Sequence, residues 1–272
     1  MGREILSLPA PGADERIAYG PDASHFGDLR RPLGDGPHLI VVVVHGGSWR
    51  AQYSLEHIGH LCAALTREGF ATWSLEYRRL GQEGGGWPGT FQDLAQGVNA
   101  LRDVAGGRDL DLSRTVCIGH SAGGHLAFWL AGRSRIPDGD PLHDPSPLPL
   151  LGAVSLAGSV DLRRGSELRL SNGAVDELLG GSAALVHARL ATASPYELLP
   201  LGVPQVLIHG EQDDIVPIEI SRRYRDEAAR LGEPVELVEL ENAGHFEVID
   251  PRTDAWPAVL GAVQRLMAAA DG

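Results

Sequence analysis

Residues Leu39-Ile40-Val41-Val42-Val43-Val44 form an unbroken apolar run, mostly β-branched, that stops at His45-Gly46-Gly47. A run so short and so uniformly apolar reads as a strand covered on both faces, the condition of strands in a parallel sheet. The next residues agree with that reading. Apolar residues Leu55, Ile58, Leu61, Cys62 and Leu65 lie on one stripe of a helix over 55–67, closed by Gly69. A second strand is expected at 70–75.

The alternation continues with a helix over 91–104, a strand at 115–118, a helix over 122–130 and a strand at 151–156. After these come a strand at 205–208, a helix over 218–231, a strand at 235–240 and a helix over 255–267. Strand and helix in turn give an α/β domain with a mostly parallel, doubly wound sheet and helices on both faces. The expected unit is a single domain, 1–272, without a repeat of fixed period. Two stretches break the rhythm. Residues 136–149, rich in Pro and Asp, read as a surface loop. Residues 158–200 are far longer than a crossover needs and are expected to form a small helical cap over a site.

Composition narrows the function. With 43% hydrophobic and 22% charged residues, the chain has ordinary globular proportions. The net charge of -13 is spread along its length, and no basic patch is present to meet phosphates, so nucleic acid is not an expected partner. Cys62 and Cys117 are read as packed thiols rather than a disulfide framework. Residues 1–12 lack a basic region followed by an apolar stretch, and no apolar run approaches the ~18 residues of a membrane span. A soluble, cytoplasmic protein without membrane partners is expected.

Gly119-His120-Ser121-Ala122-Gly123 matches G-x-S-x-G between an apolar strand and an alanine-rich helix, the context in which that pentapeptide presents a nucleophilic serine. Glycines flank a turn too tight for a Cβ, and the serine is lifted to a helix N-terminus, where N–H groups can meet a developing oxyanion. His45-Gly46-Gly47-Ser48-Trp49 resembles an oxyanion loop of the H-G-G type. The N–H groups of Gly47, Ser48 and Ala122 are the candidates for the hole, and His45 is read as a structural hydrogen-bonder. A serine hydroxyl needs a base, and the base needs an orienting carboxylate. Both occur in the order Ser, Asp, His: an acidic loop at 211–214 after one strand, and Ala243-Gly244-His245-Phe246 after the next.

Other histidines are assigned bland roles: His120 lines the pocket, and His209 packs in the core or supports the site. No histidine stands at metal-ligand spacing with a carboxylate or cysteine, so neither metal nor cofactor is expected. Gly84-Gly85-Gly86-Trp87-Pro88 leaves two possibilities for Trp87, a pocket border or a packed surface loop.

Taken together, the segments at 45–49, 119–127, 209–217 and 244–246 resemble the α/β-hydrolase superfamily, especially small esterases and arylformamidases (kynurenine formamidases) with an H-G-G-x-W loop. The likeness covers about residues 38–270. It implies the α/β-hydrolase fold, Ser121 as nucleophile, His245 as base and, as the first Asp after H-G-x-x, Asp213 as orienting acid with Asp214 only its neighbour. The expected substrate is a small carboxylic ester or aryl formamide, cleaved through an acyl-enzyme. Two alternatives stand beside this: a short-peptide peptidase like the hydrolase domain of prolyl oligopeptidases, without their propeller, and a non-catalytic binding protein. Oligomeric state is left open by the sequence.

Overall fold

A computed structural model describes residues 2–268 of the chain. The strands are β1 (Glu15–Ala18), β2 (Phe26–Arg30), β3 (His38–Val44), β4 (Ala71–Leu75), β5 (Leu110–His120), β6 (Gly152–Leu156), β7 (Gln205–Gly210) and β8 (Val235–Leu240). They form one sheet in the order β1-β2-β4-β3-β5-β6-β7-β8. Every pairing from β4 to β8 is parallel, while β1 and β2 run antiparallel at one edge. This is the α/β-hydrolase architecture that the motifs imply.

The apolar run of β3 shows why both faces must be covered. Ile40, Val42 and Val44 belong to one buried cluster, and Val41 and Val43 to the other, because successive side chains leave a strand on opposite faces. The second cluster is covered by α1 (Gly59–Arg67) and, from the other end of the chain, by a helix at Trp256–Ala268. Gly69, at φ 96°, ends α1 as expected. The first cluster is covered by α2 (Gly89–Asn99), the short α3 (Leu101–Val104) and α4 (Ala122–Ala131). Every residue of α4 is buried, which is the state of a helix that is apolar all round.

The insertion at 158–200 folds into α5 (Leu162–Glu167), α6 (Leu170–Leu179), α7 (His187–Ala193) and α8 (Pro195–Leu198). Its Val160, Leu162, Val175, Leu178 and Leu190 join the cluster of α4, so the insertion packs on the body of the domain. After β7, α9 (Glu219–Arg230) buries Ile220, Ser221, Tyr224 and Ala228, and the C-terminal helix at Trp256–Ala268 is α10.

Two expectations are revised. The helix expected at 91–104 is two helices, α2 and α3, and the strand expected at 115–118 extends over Leu110–His120. The edge strands β1 and β2 carry no apolar signature; the carboxylate that β2 buries, Asp28, is paired instead with the half-exposed Arg16 of β1 at 2.7 Å. Among the described residues, no helix is long and apolar enough to cross a membrane.

Strand order explains where a site can form. The chain passes from β3 outward to β4, then back across to β5 on the other side of β3. The carboxyl ends of β3 and β5 are therefore the point at which the winding reverses, and in open α/β sheets a crevice opens there. Val44 pairs with Gly119 at that point.

Candidate active site

From that crevice the two glycine-rich motifs emerge side by side. Ser121 leaves β5 at φ 56°, ψ -119°, a conformation that non-glycine residues rarely hold and that marks strained functional turns. Hydrogen bonds hold the turn: Ser121 N donates to Leu156 O at 2.8 Å, and Gly124 N donates to Ser121 O at 2.9 Å. The flanking glycines are steric requirements. A Cβ on Gly119 would lie 2.0 Å from Gly123 O, and one on Gly123 would lie 2.1 Å from Val44 O. Both obstacles are backbone and cannot swing aside.

The H-G-G-S-W loop bends toward this turn through three successive positive φ values, 108° at Gly47, 54° at Ser48 and 56° at Trp49. A Cβ on Gly46 would lie 2.7 Å from His120 O, so the loop and the serine turn approach backbone to backbone. Among the described residues, the N–H groups of Gly47, Ser48 and Ala122 donate to no protein acceptor. Trp49 is buried, and its indole N–H donates to His125 Nδ1 at 3.2 Å.

His45 is the structural hydrogen-bonder expected of it. Its ring lies between Gly46 O at 2.8 Å and Glu76 Oε1 at 2.9 Å, and its carbonyl accepts from Tyr77 Oη at 2.9 Å. Glu76 also pairs with Arg79 at 3.1 Å, and Arg79 donates to Tyr53 O. Burial opposes the Glu76 charge, yet His45 and Arg79 outweigh it and lower its pKa. The 76–79 stretch thus braces the loop from behind. Trp87 does not line the cavity: its backbone N–H donates to Leu178 O at 2.8 Å, its ring lies under Arg189, and it packs against the core.

The candidate acid and base come from the loops after the neighbouring parallel strands β7 and β8. Asp213 Oδ2 accepts from His245 Nδ1 at 2.7 Å, while Asp213 Oδ1 accepts from Ile215 N at 2.8 Å and Val216 N at 2.9 Å. The same Oδ2 is 3.2 Å from His209 Nε2, and His209 Nδ1 accepts from Ser221 Oγ at 2.7 Å. Burial acts to raise the Asp213 pKa, but hydrogen bonds and charge from His209 and His245 drive it well below the usual carboxylate range. Asp214, by contrast, is exposed. His209 is therefore a second imidazole at the carboxylate oxygen that faces His245, while the other oxygen is held by backbone N–H groups.

Ser121 and His245 line one cavity of about 330 Å³ together with Gly47, Ser48 and His120, as expected for His120. His120 Nε2 donates to His245 O at 2.9 Å and its ring lies 4.7 Å from that of His245. Burial first, then the nearby His245 and His57 rings, push the His120 pKa well down. The cavity also contains residues that carried no signal in the sequence: Arg3, Arg50, Tyr53, Ser171 and Asn172. Ser171 and Asn172 arrive through a left-handed turn in which Arg169, Ser171, Asn172 and Gly173 all have positive φ. Cys62 and Cys117 are free and buried away from it. Among the described residues, no cluster of three or more His, Cys, Asp or Glu could hold a metal ion.

The BD-FAE family model matches residues 29–227, from β2 through most of α9. The chain belongs to the BD-FAE family. This BD-FAE member is 23% identical over 270 residues to the probable carboxylic ester hydrolase LipM of Mycobacterium tuberculosis, covering 94% of the present chain but only 61% of LipM. Among solved structures, it is similar to a truncated carbohydrate esterase from gut microbiota, with TM-score 0.79, 20% identity, and coverage of 96% of this chain and 98% of the other. It is likewise similar to propionate-bound esterase 2 of Thermogutta terrifontis, with TM-score 0.75, 23% identity, and coverage of 97% and 96%. At these identities the two structures establish that the BD-FAE chain shares their fold.

Proposed function

We propose that the protein hydrolyses small carboxylic esters through an acyl-enzyme formed on Ser121. The observation that carries this reading is the Asp213–His245 pair at 2.7 Å, whose His245 lines the same cavity as a serine held at φ 56°. With Nδ1 bonded to Asp213, His245 has Nε2 left for proton exchange. Ser121 Oγ gives its proton to that nitrogen as it attacks the acyl carbon, and the carbonyl oxygen takes the negative charge. The N–H groups of Gly47, Ser48 and Ala122 stabilise that charge. As the C–O bond breaks, His245 returns the proton to the leaving alcohol. Water then attacks the acyl-enzyme by the same route and releases the acid.

Ester rather than amide chemistry draws support from the relatives: LipM is described as a probable carboxylic ester hydrolase, and the gut enzyme as a carbohydrate esterase. The Thermogutta esterase has been solved with propionate and with butyrate. An aryl formamide, whose acyl group is the smallest of all, is a second substrate that the same chemistry would accept.

A cavity of about 330 Å³ offers little wall for a long acyl chain, and each methylene left unburied forgoes about 0.8 kcal/mol. Formyl, acetyl and butyryl substrates should therefore have higher kcat/KM than dodecanoyl ones. The test is a panel of p-nitrophenyl esters with N-formylkynurenine, run on the wild type and on Ser121→Ala. Ser121→Ala is expected to lower kcat by about three or more orders of magnitude with folding intact. Near-normal turnover by that variant would end the proposal.

A further inference from the structure

His57 stands where two clefts meet. It lines the cavity of Ser121 and also a second cleft of about 630 Å³ walled mainly by residues 6–13 and 52–57, and Leu6, Gln52 and Tyr53 likewise belong to both. Ligand leaving the serine in that direction must pass the imidazole.

The chemistry of the ring is set by its neighbours. His57 Nδ1 lies 2.8 Å from Ser54 O, and since a carbonyl can only accept, Nδ1 carries the hydrogen. The other nitrogen, Nε2, then presents a lone pair for as long as the ring stays neutral. Burial, reinforced by the adjacent His45, holds the imidazole down at about 4, so it is neutral throughout the working range of a hydrolase. Among the described residues, nothing donates to His57 Nε2. The closest rings are not available: His45 is committed to Gly46 O and Glu76, and His120 Nε2 to His245 O. A cleft-lining acceptor without a donor is matched by a ligand that brings one.

The second cleft is suited to such a ligand. Arg16, Asp28, Arg30 and Glu56 give it polar walls of both signs, while the exposed Leu6 and Tyr53 border its junction with the first. Resting on the ester hydrolysis proposed above, we infer that His57 determines specificity, its Nε2 accepting a hydrogen bond from a hydroxyl on the part of the ester that extends from Ser121 into the second cleft.

The test compares glycerol 1-monobutyrate with its 2,3-di-O-methyl ether, which keeps the acyl group and the oxygens but has no donor. The wild type is expected to favour the diol ester by about tenfold in kcat/KM, through KM. His57→Phe should bring that ratio close to one, with His57→Leu as a second apolar replacement should the larger ring disturb packing. His57→Gln, which restores an acceptor, should recover part of the preference. A ratio unchanged in His57→Phe and His57→Leu, or a wild type indifferent to the methyl groups, overturns the inference; so does an equal loss on both esters, which would mean that the ring only holds its loop. Wild-type turnover of p-nitrophenyl butyrate but of neither glycerol ester sinks this inference alone, whereas failure on all three sinks the proposed function with it.

Discussion

The Ser48 hydroxyl donates to the Ser171 hydroxyl across 2.7 Å, joining the H-G-G-S-W loop to the left-handed turn at the start of α6. Arg50 strengthens the same junction through Glu177 at 2.7 Å and Ser171 O at 3.4 Å. The insertion thus reaches the candidate oxyanion loop directly, although its Val160, Leu162, Val175, Leu178 and Leu190 are buried in the main core cluster.

That contact leads to the first prediction. Ser171→Ala should cost about 0.5–1.5 kcal/mol of stability and lower kcat by less than about tenfold, because it loosens Ser48 without removing its N–H. Ser48→Ala should act through the same bond, so the double variant should be less damaged than the sum of the singles. Denaturant unfolding and steady-state kinetics on the four proteins check this. Additive effects would show that the hydroxyls do not meet in solution.

A second prediction separates the adjacent aspartates. Asp213 accepts from Ile215 N and Val216 N on one oxygen and from His245 on the other, so an amide that keeps its oxygen on the N–H groups turns its NH2 toward His245 Nδ1 and imposes the wrong tautomer. Asp213→Asn should reduce kcat by about two to four orders of magnitude. Asp214 is exposed, and Asp214→Asn should stay within about twofold. If Asp214→Asn were the more damaging, the acid would have been misassigned.

Acid should destabilise the fold in two windows. Burial depresses the pKa of His125 to about 4 and that of His120 well below its ordinary value, so both rings are neutral in the folded protein. In the unfolded chain each titrates near ~6.5, so the unfolded state binds more protons below that pH. Stability is full above ~6.5 and falls as pH drops toward 4, by up to about 1.4 kcal/mol per pH unit for each ring. Asp213, whose pKa is lowered, adds a further loss below the unfolded carboxylate value of ~3.9. Chemical denaturation at pH 7, 6 and 5 should show a steady decline, and a flat profile over that range would contradict it.

Much of the site was legible because its parts are local. G-H-S-A-G needs glycine where a Cβ would strike Gly123 O or Val44 O, and those clashes are built from residues of one turn and its neighbouring strand. The order Ser, Asp, His and the apolar run of β3 likewise rest on short stretches. His209 was readable as a packed or supporting residue from its place at a strand end, and His120 as a pocket-lining residue from its place beside the serine; their partners lie where the strands deliver them.

What the sequence alone determined was the alternation of strands and helices, the tight turn at Ser121 and the candidates for base and acid, since each depends on neighbours within a few positions. Only the tertiary structure decided strand order, which brings the ends of β3 and β5 together, and the partners reached across the chain. Glu76 meets His45 from 31 positions away, and Ser171 meets Ser48 from 123. The edge strands β1 and β2 were missed for the same reason: Asp28 is tolerated in a buried position because Arg16 neutralises it, a relation that no local pattern of apolar residues encodes. His57 is the sharpest case: the carbonyl that fixes Nδ1 and the burial that keeps the ring neutral leave Nε2 an acceptor to which, among the described residues, nothing donates.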